Sequence, residues 1–185
     1  MLQSMTSRPP ASDALRQGAS TDEQTTPAFT AREFRNAMGQ FATGVVVIST
    51  EIGGEPHAMT ANAFMSGSLE PPLVLVSVAC TARMHEKIRN AGMFGISVLA
   101  HGQDDISQHF AGKPSERYAP VFERVGGVPV IEGAAVRLAA QLRHAYPCGD
   151  HTLFVGEVHE MFTHTDAPQP LLFHAGRYGR LAESN

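Results

Sequence analysis

From Gly44 onward the chain is dominated by short apolar runs of strand length, punctuated by glycine and proline. Val45-Val-Val-Ile-Ser-Thr50 is β-branched and predicts a strand, and Gly53-Gly54 behind it is a hairpin signal. Pro56–Met65 predicts the returning strand. Pro71-Pro72 interrupts the chain, and Leu73-Val-Leu-Val-Ser-Val78 predicts a strongly apolar strand in the middle of a sheet. Met93–Leu99, Ala134–His144, Thr152–Thr163 and Leu171–Phe173 predict further strands, with a terminal piece near Tyr178–Leu181.

Helical spacing is rarer. Thr30 and Glu33 stand at capping-box spacing, and Phe34, Ala37, Met38 and Phe41 then recur on one helical face. Thr81–Asn90 predicts a short helix with Met84, Ile88 and Ala91 on one side and Gly92 closing it. Asp104–Phe110 predicts another, and Ala111–Val125 a short helix mixed with loop. About six strands with few long helices predict a mainly β fold, a closed or nearly closed antiparallel barrel with short helices outside it.

Composition narrows the picture. The 185 residues suit one domain, expected over 29–185, while residues 1–28 are poor in large apolar side chains and predict a disordered N-terminal tail. A net charge of −4 disfavours nucleic acid or an anionic membrane as the main partner. No window approaches the roughly 20 apolar residues that span a bilayer. Two cysteines are too few for a disulfide scaffold, so a cytoplasmic location is expected. Cys80, at the end of an apolar run, reads as a buried, inert thiol.

Three chemistries are disfavoured. The nine histidines include no pair at metal-ligand spacing, so no metal site is expected. There is no Gly-x-Ser-x-Gly elbow, and Asp150-His151, as neighbours on a strand, should face opposite ways. No Gly-x-Gly-x-x-Gly follows a strand and no Walker lysine is present, so any nucleotide must be held by other means.

Two segments remain. In His57–Ser68, Thr60, Ala61, Asn62 and Ala63 combine small and polar side chains, which let a flat ring approach the backbone. Ser66 and Ser68, two apart, can point the same way toward a phosphate or polyol chain. A half-buried edge strand ending in a polar turn fits the same residues, and spacing alone favours it. Thr81, Arg83 and Lys87 open a helix, where free N–H groups and positive charge suit a phosphate; a solvated basic face fits equally well.

The chain resembles the flavin reductase-like, FMN-binding split-barrel family, in particular the short-chain reductase components of two-component flavin-dependent monooxygenases. The matching blocks begin with Phe34-Arg-Asn-Ala-Met-Gly-Gln-Phe-Ala-Thr-Gly-Val45 and Met59-Thr-Ala-Asn-Ala-Phe64, and continue with Ser66-Gly-Ser-Leu-Glu-Pro-Pro-Leu-Val-Leu-Val-Ser77. Gln108-His-Phe-Ala-Gly112, Gly149-Asp-His151, Phe154-Val-Gly-Glu-Val158 and Pro170-Leu-Leu-Phe-His-Ala-Gly-Arg-Tyr178 follow in order.

The resemblance implies a six-stranded antiparallel split β-barrel, a homodimer, and reduction of FMN or FAD by NADH or NADPH for a separate flavin-dependent oxygenase. It implies that Thr60, Ala61 and Asn62 lie along the flavin ring and that Ser66 and Ser68 contact the flavin. Ser77, Ala79, Thr81 and Arg83 match the segment near the ribityl phosphate. His151, Arg177 and Tyr178, with His174, match positions on the nicotinamide side, and His151 is the candidate catalytic residue. Ser97, Met84 and Cys80 depart from the family pattern, which commonly has Asn, a hydroxyl residue, and a polar or basic residue there. Alternatives are a pyridoxamine-phosphate-oxidase-like flavoenzyme and a non-catalytic flavin- or haem-binding barrel.

Overall fold

The fold follows from a computed structural model that describes residues 28–114, 119–166 and 168–182. The tail expected over 1–28 lies, except for Ala28, outside them. Helix α1 (Ala31–Met38) starts as the sequence predicts. The Thr30 hydroxyl accepts from the Glu33 N–H, and the Glu33 carboxylate accepts from the Thr30 N–H. These bonds from Thr30, its backbone N–H first, hold the Glu33 carboxyl below its ordinary range. The apolar face of α1 is not buried, however. Phe34, Met38 and Phe41 are 53%, 55% and 76% exposed.

The chain then forms β1 (Thr43–Gly44), β2 (Val46–Ile52) and β3 (Glu55–Ala61), with Gly53 and Gly54 at positive φ in the hairpin turn between β2 and β3. The single returning strand expected over Pro56–Met65 is two strands. Asn62 and Ala63 interrupt it, and β4 (Phe64–Leu69) pairs with β5 (Pro72–Ala79) instead of with β2. One sequence run thus serves both ends of the sheet.

Helix α2 (Arg83–Ala91) begins two residues later than expected, with Ala82 at its N-cap, and ends at Gly92 in the left-handed conformation. Strand β6 (Met93–Val98) and helix α3 (Asp104–Phe110) follow as predicted. The short helix and loop expected over Ala111–Val125 lie partly outside the described residues, and the described residues at its end form a hairpin, β7 (Phe122–Val125) and β8 (Val128–Ile131), turning at Gly126-Gly127. That pair of glycines carries the same signal as Gly53-Gly54. Strands β9 (Val136–Cys148) and β10 (His151–Thr163) form a long hairpin, and β11 (Leu172–His174) and β12 (Arg177–Gly179) a short one.

The main sheet has seven strands in the order β3-β2-β6-β9-β10-β5-β4, all antiparallel, beside sheets β1-β11-β12 and β7-β8. β5 is second from an end, not central. Its residues alternate in burial: Val74, Val76 and Val78 are buried on the core face while Leu73, Leu75, Ser77 and Ala79 are only half-buried. Residues from both halves of the sheet, Val46, Ile48, Phe94, Leu138, Val76 and Phe154, share one core cluster with Met84 and Ile88 of α2. Met59 of β3 and Phe64 of β4 pack on that same cluster, so both ends of the sheet enclose it. No ladder joins β3 to β4, and the barrel is therefore not closed.

Two tight spots fix the packing. A Cβ at Gly156 would lie 2.5 Å from Phe94 Cζ, so only glycine admits that fully buried ring. Ser97 is fully buried, and its Oγ accepts from the Ile131 N–H at 2.8 Å, tying β8 to β6. The departure from the family pattern at this position therefore serves the scaffold. Met84 likewise lies in the core.

Candidate functional site

β3 is an end strand, so one side of its backbone has no strand partner. Beside its last residues lies a recess of about 150 Å³ lined by Thr60, Ala61, Asn62, Ser107, Phe173 and Tyr178, among others. Strand pairing positions Thr60 and Ala61 opposite Val47 and Val46. The Thr60 hydroxyl donates to the Ser107 carbonyl at 2.7 Å, and Ser107 Oγ shares a 2.8 Å hydrogen bond with the Tyr178 hydroxyl. Thr60 and Tyr178 are thus held by α3, and their rotamers are fixed before any ligand arrives. Phe173 packs against Tyr178 with ring centroids 5.5 Å apart.

The recess continues past Asn62 and Phe173 into a groove of about 820 Å³ between α1 and the β11–β12 turn. Arg35, Gln40 and Phe41 line it on one side and Ala175 and Gly176 on the other. A third cavity, of about 330 Å³, opens at His57, Ala58 and Met59, across from Arg83, Met84 and Lys87 of α2. Each of the two β3 cavities is lined by consecutive residues, whose side chains alternate in direction. The first meets α3, on the side where Thr60 bonds Ser107, and the third meets α2, on the side where Met59 packs beside Met84, so the two flank the strand.

Most of the expected site residues fall into three groups. Thr60, Ala61, Asn62 and Tyr178 share the recess. Arg83 joins His57 and Lys87 in the α2 groove. Ser77, Ala79 and His151 lie on neighbouring β5 and β10, where His151 stands opposite both Ala79 and Cys148. Ser77 donates its N–H to the Ala63 carbonyl at 3.0 Å, which ties β5 to the Asn62-Ala63 turn. Thr81 is exposed just before α2, and His174 and Arg177 form an exposed pair at the β11–β12 turn. His151 does not line the recess that holds Thr60.

Three readings of single residues change. Ser66 and Ser68 do not share a face: a register shift at Gly67 puts Ser66 opposite Val74 and Ser68 opposite Leu73. Cys80 is exposed, because it lies beyond the end of β5. Asp150 and His151 do interact. Asp150 belongs to the turn between β9 and β10, so strand alternation does not govern it, and its carboxylate meets His151 Nδ1 at 2.7 Å. The hydrogen bond from His151, and then its charge, hold the Asp150 carboxyl below its usual range.

Ser107 and the α1 side of the large groove had no signal of their own. Ser107 stands beside the block Gln108–Gly112, and the apolar face of α1 was legible but not its lack of cover. Small residues at the end of a free strand edge, a recess beside it and an aromatic pair across it fit a flavin ring whose polar rim bonds to backbone. Among the described residues no group of His, Cys, Asp or Glu could hold a metal ion, and no helix is long and apolar enough to cross a membrane.

Comparison with known proteins places this geometry in a class of flavin-handling β proteins. The flavin reductase like domain matches residues 38–182, and the chain belongs to that family. It is 45% identical over 158 residues to an NADH-dependent flavin reductase of a Rhodococcus species, covering 84% of this chain and 89% of the relative. It is 41% identical to the reductase component of 4-hydroxyphenylacetate 3-monooxygenase from Thermus thermophilus, covering 80% and 95%. Among solved structures, the flavin reductase PheA2 superposes with a TM-score of 0.80 at 46% identity, over 84% of this chain and all (100%) of that one.

Proposed function

We propose that this protein is an NAD(P)H-dependent flavin reductase that reduces FMN or FAD by hydride transfer and passes the product to a separate monooxygenase. The observation that carries the reading is the free edge of β3, which presents Thr60, Ala61 and Asn62 to a recess bounded by Phe173 and Tyr178. The bound flavin supplies the hydride-accepting chemistry; the protein's task is to orient and to exclude water. Ala61 lets the ring approach, Asn62 offers an amide to its polar rim, and Tyr178, anchored by Ser107, limits its tilt. Ser68, Ser77, Ala79, Thr81 and Arg83 serve the ribityl and phosphate end, with Ser66 on the other side of the bulge. His174 and Arg177, at the mouth of the β11–β12 turn, serve the pyridine nucleotide.

His151 is assigned to positioning the nicotinamide or giving a proton to the departing reduced flavin. His151→Ala should impair pyridine-nucleotide kinetics more than flavin affinity; an unchanged KM and rate would reject the role. His151 shares an outer sheet face with Leu75, Leu153 and the exposed Met65 and Tyr146. That apolar face supports a homodimer in which His151 lies near the partner, testable by light scattering on the purified protein. The two free, exposed thiols support a cytoplasmic location.

Anaerobic mixing of the protein with FMN or FAD and NADH tests the activity. Rapid loss of the flavin's visible absorbance is expected. Spectral binding without turnover would make the protein a flavin carrier instead.

A further inference from the structure

His85, in the first turn of α2, is only 6% exposed and lines neither the recess nor the two grooves. Its ring is nonetheless fully engaged. Nε2 shares a 2.8 Å hydrogen bond with Oγ1 of Thr152 in β10, itself only 3% exposed. Nδ1 donates to Glu86 Oε1 at 3.0 Å, and the ring stands edge-on to Phe154 with centroids 5.3 Å apart. Thr152 and Phe154 are alternate residues of β10 and face the core together, so His151, just before Thr152, faces the other way.

A buried polar pair of this kind does little for stability that apolar side chains of the same shape would not do. Its hydrogen bond replaces bonds to water, and exchanging both partners for apolar groups is close to neutral. What the pair adds is direction. The bond fixes the Thr152 rotamer and the strand backbone behind it, which apolar packing alone holds more loosely.

The place it fixes is the tip of the β9–β10 hairpin. Thr152 is the second residue of β10, and Asp150 and His151 stand immediately before it. Strand ends open more readily than strand centres. This one is tied twice to the chain around the start of α2: Cys80 donates its N–H to the Asp150 carbonyl at 2.9 Å, and His85 binds the Thr152 hydroxyl. The Asp150–His151 tip is thereby held as one body with the end of β5 and the start of α2.

We propose that His85 is a positioning residue for hydride transfer: through Thr152 it sets the angle at which His151 is presented to the pyridine nucleotide. The inference rests on the flavin reductase reading and on the role given there to His151.

His85→Leu, Thr152→Val, the double variant and Thr152→Ser are to be compared with the wild type in Tm, flavin dissociation constant and NADH kinetics, with His85→Leu also made in a His151→Ala background. Each single apolar variant should raise the KM for NADH about two- to tenfold, since a clasp transmits no more than the strength of its one hydrogen bond. Flavin affinity should stay within about twofold. Thr152→Ser keeps the hydroxyl and should behave as the wild type.

The double variant separates direction from stability. Its Tm should recover toward the wild type, because no buried polar group is left unpaired, while its KM stays raised. Once His151 is alanine, His85→Leu should raise the KM no further. A KM that returns with the Tm would make the pair structural only and overturn the inference. So would a KM unmoved by the single variants, a further rise in the His151→Ala background, or an unchanged KM in His151→Ala itself. Wild-type protein that reduces no flavin would sink the reductase reading. The orientation of His151 is then read from its Hε1 NMR resonance, which Thr152→Val should displace and Thr152→Ser should not; an unmoved resonance would overturn the inference by itself.

Discussion

Asp150 and His151 are neighbours in sequence whose side chains nonetheless meet at 2.7 Å, because the first sits in a turn and the second opens a strand. The contact holds the Asp150 carboxyl below its ordinary value of 3.8. A carboxyl depressed in the folded state contributes stability above its unfolded value and loses it as the pH falls through the lowered folded value. A carbon-detected NMR titration should therefore place the Asp150 midpoint below 3.8. Asp150→Asn should raise the KM for NADH, with flavin affinity unchanged. An unaltered KM would separate Asp150 from the nicotinamide.

Tyr178→Phe deletes the hydrogen bond to Ser107 and leaves the ring in place. Urea unfolding should show a loss of about 1 kcal/mol. Flavin affinity should fall as well, since the wall of the recess loses its anchor. Stability falling alone, with affinity intact, would mean that the recess does not hold the ring.

Gly156→Ala should be more damaging than an exposed glycine replacement. Its new methyl group would meet the fully buried Phe94 ring at 2.5 Å, and overpacking of this kind costs about 1–3 kcal/mol. Calorimetry should show a lower Tm. Phe94→Leu in the same chain should recover part of it by vacating the ring's space.

Ser97→Ala should leave the Ile131 N–H without its acceptor inside the core. The expected cost is about 1–3 kcal/mol in chemical denaturation, read as a lower midpoint at unchanged slope. Hydrogen exchange at Ile131 should rise first.

Much of the scaffold was legible because its signals are local. The capping box at Thr30, the Gly53-Gly54 turn, the α3 span and the Gly92 stop each depend on a few adjacent residues. What depends on the partner strand was not legible. The break at Asn62-Ala63, the bulge that parts Ser66 from Ser68 and the place of β5 near the sheet's end are set by pairings between distant segments. The β7–β8 hairpin was missed although its two glycines spelled it out, because the preceding residues lack a clear period. At the site, residue types pointed to Thr60–Asn62 and Tyr178 but not to Ser107, which joins them through backbone and hydroxyl at once.

The open edge of β3 has a cost outside catalysis. Unpaired strand backbone is a template for another chain, and natural edges are commonly blunted by proline or charge. Here Glu55 and Pro56 guard only the beginning of the strand, while His57–Ala61 holds no proline, lysine, arginine or carboxylate. A ligand lying along that stretch would act as a removable cover. Protein stripped of flavin should therefore clump on mild warming sooner than protein stored with it, so the substrate doubles as a protectant against self-association.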